Sequence, residues 1–180
     1  MIDRIISGNK QLASFWGSSH GWAPKEAADL MSKSRLDWQV ELSKTLKLWS
    51  FQEVEHGQLI MAWANLGALI EGTLKLFLAA YYLDYVKDGE NFKFKGEVVS
   101  PDSLALEKLK QFYRKKELLD NDWFPYIDLV QVRRNAIHAF KDRPIGNPLE
   151  FEKCVEKYLD LLITINGMLP YPEEMREPCF

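Results

Sequence analysis

Residues 61–86 hold an apolar run long enough to cross a bilayer, broken only by Glu71, Lys75 and Asp84. That run constrains the fold more than anything else in the chain. A charge near the middle of a membrane is costly, so the better reading is a helix buried at the centre of a soluble bundle. It should run from about Gly57 to Val86, apolar over most of its circumference.

The remaining segments read as helices around it. Ala27, Leu30, Met31, Ser34, Trp38, Leu42, Leu46 and Trp49 recur at intervals of three and four. They predict a long amphipathic helix that begins near Pro24 and ends near Ser50. Asp88-Gly89-Glu90-Asn91 ends the central helix, and residues 92–99 alternate in a way that fits either a small hairpin or a loop. Ser100-Pro101 starts a helix to about Leu119, and Asp122 with Pro125 starts another to about Phe140. Asn147-Pro148 with Glu150 starts the last, whose apolar face carries Phe151, Val155, Tyr158, Leu159, Leu162 and Ile163. Residues 1–23 contain Gly8, Gly17 and Gly21 and read as an irregular or short-helical arm, and 170–180 as a tail. Long helices with short connections favour an all-α, antiparallel up-and-down bundle of four to five long helices in a single domain.

A chain of 180 residues, nearly half of them apolar, supports one domain with a substantial core. Its formal net charge of -3 argues against a generally basic nucleic-acid coat, so any RNA contact must come from local patches. Two basic stretches qualify. Lys108, Lys110, Arg114, Lys115 and Lys116 form one, which reads best as a solvated helix face; Arg133, Arg134, Lys141 and Arg143 flank His138 in the other. Asp3 and Arg4 interrupt any leader-like start, and the two cysteines, Cys154 and Cys179, fit a reducing, cytoplasmic setting. Cys154 sits on an apolar stripe as a small core residue. His20, His56 and His138 lie far apart and form no ligand-spaced pair, so no metal or other cofactor is expected.

The chemistry concentrates in Arg133-Arg134-Asn135-Ala136-Ile137-His138. Histidine exchanges a proton near neutral pH, while a guanidinium stays charged and grips phosphate oxygens in a fork. The same residues would also serve as plain polarity at a helix end. At about 100° per residue Arg134 lies about 40° round a helix from His138 and Arg133 about 140°, yet either side chain is long enough to reach it. Glu71 stands out too, because a carboxylate in an apolar helix needs a partner, and an arginine or the imidazole of the motif helix would serve. Of six tryptophans, only Trp123 stands where base stacking is conceivable; the others fall at core spacing.

An arginine, four residues and a histidine, Arg133 to His138, behind the long apolar helix at 66–78, resembles the signature of the HEPN superfamily over residues 55–168. Many members of that family are metal-independent ribonucleases. The resemblance implies attack of a 2′-hydroxyl on the adjacent phosphate, with His138 as general acid or base and Arg133 stabilising the phosphoryl oxygens. It further implies that Asn135 orients the histidine or the phosphate, that Lys141 and Arg143 hold RNA, and that a homodimer builds the site at its seam. Family spacing favours Arg133 as the working arginine. The polar residue that follows the motif arginine in many members here follows Arg134, which leaves both open. Phe140 stands where HEPN toxins silenced by a partner nucleotidyltransferase carry a tyrosine, and phenylalanine has no hydroxyl to modify. An antitoxin or a defence-complex subunit is the partner such a protein would have. A non-catalytic HEPN-like module for dimerisation or partner binding would use the same helix only as interface polarity. A small-molecule-binding bundle would need an apolar pocket between helices, which residue order alone does not reveal.

Overall fold

In the computed structural model, which describes residues 1–49, 54–175 and 177–180, the apolar run does form one helix. The elements are α1 (Ile2–Gly17), α2 (Lys25–Lys33), α3 (Leu36–Thr45), α4 (His56–Ala80), α5 (Tyr82–Lys87), β1 (Lys93–Phe94), β2 (Glu97–Val98), α6 (Leu106–Lys115), α7 (Trp123–Arg134) and α8 (Pro148–Gly167). Short 3-10 turns cover Leu46–Trp49, Pro101–Ser103 and Asn135–Ile137. At 67% helix and 2% strand, the fold is all-α.

α4 is central because nearly every side of it is apolar. Trp63, Leu66, Leu69, Ile70 and Leu74 are fully buried, and burial of each such side chain is worth roughly 1.5–3 kcal/mol. The helix packs against α2, α3, α6, α7 and α8. Its length and composition would suit a bilayer, but 61% of its most apolar window is buried against the rest of the chain. At its start the Glu55 amide donates to Gln58 Oε1 at 3.0 Å. It stops at Ala80, six residues short of the predicted end, and a separate short helix, α5, follows after Tyr81.

Helix directions follow from the contacts. Along α7 and α8, Lys157 lies over Trp123, Tyr126 Oη donates to the Cys154 carbonyl, and Arg133 pairs with Glu150, so the two run antiparallel. α6 and α7 do the same through Gln131 with Glu107, Lys110 with Asp128, and Arg114 over Phe124. Gln39 and Asn65 tie α3 to α4 in opposite senses as well. By contrast, Trp63 meets Phe151, Thr73 meets Tyr158 and Tyr81 meets Met168. α4 and α8 are therefore parallel, and α6 shares their direction. The simple up-and-down alternation fails between α4 and α6, because α5, the hairpin (Lys93 opposite Val98) and the turn at Pro101–Ser103 carry the chain back alongside α4 before α6 begins.

Other expectations are corrected as well. The amino-terminal arm is a sixteen-residue helix whose buried face holds Ile5, Leu12 and Trp16. The long helix from Pro24 breaks at Ser34, which turns to extended backbone (ψ 116°) and whose hydroxyl donates back to the Leu30 carbonyl at 2.8 Å. This break shifts the register, and Trp38 ends up 57% exposed beneath the Arg35 guanidinium instead of in the core. The predicted end near Ser50 lies outside the described residues. The predicted helix from Ser100 is a 3-10 turn followed by α6, and Ile163 on α8 is exposed.

The last residues return to α1. Gln11 donates to the Cys179 carbonyl at 2.8 Å and accepts the Cys179 amide at 3.1 Å. The Phe180 ring lies against Gly8, where a Cβ would meet it at 2.7 Å.

Candidate functional site

α7 ends at Arg134, six residues before the predicted stop, so His138 is not helical. The chain tightens into the Asn135–Ile137 turn, as helix ends commonly do to satisfy their last carbonyls, and the His138 amide donates to the Asn135 carbonyl at 3.2 Å. The helical angles between His138 and the two arginines therefore no longer apply. Beyond it Phe140 takes a left-handed φ of 80° and is fully exposed. Trp63 Nε1 donates to the Ile145 carbonyl at 2.7 Å and anchors the returning loop to α4.

The adjacent arginines reach different helices. Arg133, with a side chain 14% exposed, forks onto Glu150: Nε to Oε1 at 3.2 Å, Nη2 to Oε1 at 2.8 Å and to Oε2 at 3.1 Å. Arg134 Nη1 donates to Glu71 Oε2 at 2.9 Å and to the Gly67 carbonyl at 3.2 Å. Glu71 also accepts from Lys75 at 2.8 Å. Burial alone would raise the Glu71 carboxyl, but the hydrogen bonds and charges of Lys75 and Arg134 outweigh it and hold the group below its ordinary value.

Trp63, Gly67 and Glu71, spaced at four residues, form one stripe of α4 that receives this whole segment. Gly67 leaves room for it: a Cβ there would lie 2.3 Å from Arg134 Cδ. Gly146 does likewise on the other side, with φ of 68° and Glu150 Oε2 at 2.3 Å from where a Cβ would stand. Asn147 Oδ1 accepts the Glu150 amide at 2.9 Å, so one cap fixes both the start of α8 and the carboxylate that holds Arg133.

His138 and Lys141 are exposed, and the His138 ring makes no hydrogen bond to any described residue. Asn135 is half-buried. Arg143 is half-buried as well, with its Nε shut off from solvent and unpartnered among the described residues. The structure thus joins Arg134 to Glu71 on α4 and Arg133 to Glu150 on α8, and leaves His138 outside both ion pairs on the adjoining surface turn. Exposed Val132, Ile137, Phe140 and Leu149 belong to the same stretches of chain. Trp123 is half-buried under Lys157, whose Nζ is 5.5 Å from its ring.

The basic run at 108–116 is largely tied up by acids, with Lys108 lying instead over the Phe92 ring. Lys110 is buried and held by Asp128, Glu107 and Gln131; Lys115 pairs with Glu90 and Lys116 with Asp88. Among the described residues no three His, Cys, Asp or Glu side chains gather as metal ligands. Glu150 is the partner that sequence reasoning missed, since it registers there only as a capping residue in an acidic segment. Comparison with protein-family models, curated proteins and solved structures yields no match.

Proposed function

We propose that this chain is an HEPN-like, metal-independent endoribonuclease of the toxin or antiviral kind, working in the cytoplasm as a homodimer. The observation that carries the reading is the free, solvent-reached imidazole of His138 on a turn directly behind Arg133 and Arg134. In this scheme His138 acts as general base on the RNA 2′-hydroxyl or as general acid at the leaving oxygen, and Arg133 exchanges Glu150 for the phosphate as RNA binds. Asn135 orients the pair, Lys141 and Arg143 hold the flanking backbone, and the Arg134–Glu71 bridge fixes the turn on α4. One histidine seldom performs both proton transfers, so a second copy supplies the other across the seam. An antitoxin or defence-complex subunit restrains the enzyme.

A second reading, a non-catalytic HEPN-like dimerisation or partner-binding module, is favoured by one observation. Both arginines are already satisfied by Glu150 and Glu71 within the chain. Cleavage of labelled RNA in EDTA separates the two, with wild type run beside His138→Ala and Arg133→Ala and thermal melts confirming that each variant folds. Cyclic phosphate ends from wild type and loss of cleavage in both variants would support the enzyme. Intact RNA across a substrate panel, or variants that cut as well as wild type, would leave the binding module.

A further inference from the structure

The carboxyl ends of the parallel helices α4, α6 and α8 converge on a cleft of about 450 Å³, far along α4 from the Arg/His segment. Its walls include Phe77, Tyr81, Tyr85, Phe112, Leu118 and Met168. The size lies within the range of pockets that enclose small organic ligands, roughly 300–1,000 Å³.

Its polar groups narrow the choice of ligand. Tyr81 Oη already donates to the Met168 carbonyl at 2.9 Å and Tyr85 Oη to the Val99 carbonyl at 2.9 Å. Both phenols therefore present rings and no free donor. Three charged residues line the cleft: Asp84, Asp88 and Lys116. Lys116 is neutralised by Asp88 at 2.8 Å, whereas Asp84 has no ion-pair partner among the described residues. The rim thus carries one uncompensated negative charge. The carboxyl ends of α6 and α8, each with partial negative charge from its last carbonyls, add to the same sign, while that of α4 is offset by the amino end of α5 beginning at Tyr82. Electron-rich ring faces favour a cation as well.

We infer that this cleft binds a small organic cation with an apolar, aromatic body, the body among the rings of Phe77, Tyr85 and Phe112 and the cationic group toward Asp84. This assignment is independent of the ribonuclease reading. An anion would meet the carboxylate and two unfavourable helix ends, and a neutral ligand would leave Asp84 unused.

The test is isothermal titration of the full chain with naphthylmethylammonium, naphthylmethanol and naphthylacetate. The ammonium should bind most tightly and the acetate least. Asp84→Asn, a surface change that leaves the walls intact, should weaken the ammonium about fivefold, the size expected for one partly screened ion pair, and leave the alcohol unchanged. Leu118→Trp should fill the cleft and remove all three; if that variant fails to fold, Asp84→Asn still decides. Equal binding of the three probes, no uptake by wild type, or indifference to Asp84→Asn would overturn the assignment. So would a sedimentation result in which Leu118→Trp turns a dimer into a monomer while wild type takes no probe, since the cleft would then seat a second copy.

Discussion

Arg133 and Glu150, seventeen residues apart, form a forked ion pair that clamps the end of α7 to the first turn of α8. Both side chains are largely shielded, so removal of either leaves a charge poorly solvated. Arg133→Ala and Glu150→Ala should each cost about 1–3 kcal/mol, and a double-mutant cycle should return a coupling of roughly 1–2 kcal/mol. Chemical denaturation of the four proteins measures it. Additive losses would show that the fork contributes no pairwise energy.

Gly67 makes a prediction of opposite sign to helix propensity. Alanine is better than glycine in a helix interior by about 1 kcal/mol, yet at this position its Cβ would drive into Arg134 Cδ. Gly67→Ala should therefore destabilise the protein, by about 1–2 kcal/mol, as Arg134 leaves Glu71 and the Gly67 carbonyl. A melting temperature above wild type would show that Arg134 is not seated there.

Stability should fall on acidification through Glu71. Its folded-state value lies below the ordinary 4.5, so the folded protein binds this proton less readily than the unfolded chain. The contribution is complete above the ordinary value and disappears as pH falls through the lowered one. Thermal melts from about pH 7 to about pH 3 should show wild type well above Glu71→Gln at neutrality and the gap closing in acid. A gap that stays constant would remove Glu71 from the account.

The two cysteines should react on different clocks. Burial pushes the Cys154 thiol up to about 11, with the Glu150 carboxylate adding to the shift, whereas Cys179 is exposed. At pH 8 only about one Cys154 in a thousand would be thiolate. A maleimide should label one thiol quickly in native protein and the second only on unfolding; rapid double labelling would contradict the burial of α8.

What was legible in the chain was local. Asn147, Pro148 and Glu150 announce the start of α8 because a cap needs only its own turn, and the all-round apolarity of residues 61–78 announces a central helix. Glu71 reads as a carboxylate in need of a partner, an arginine or the imidazole, and the fold pairs it with Arg134 and Lys75. The rest depends on partners distant in sequence. Gly8 looks like a break until Phe180 lies against it, and α7 stops at Arg134 where the loop beyond is held by Trp63. The parallel course of α4 and α6 follows from a connection whose residues carry no directional signal. Glu150 could not be matched to Arg133 because its capping role already accounts for it.

The contact of Gln11 with Cys179 spans 168 positions, nearly the whole chain. A junction of that span pays its loop-closure entropy only after the intervening helices have shortened the path between its ends. It should close last during folding and open first when the native state breathes. Hydrogen exchange at the Cys179 amide, which Gln11 protects, would then time that final closure separately from the assembly of the core.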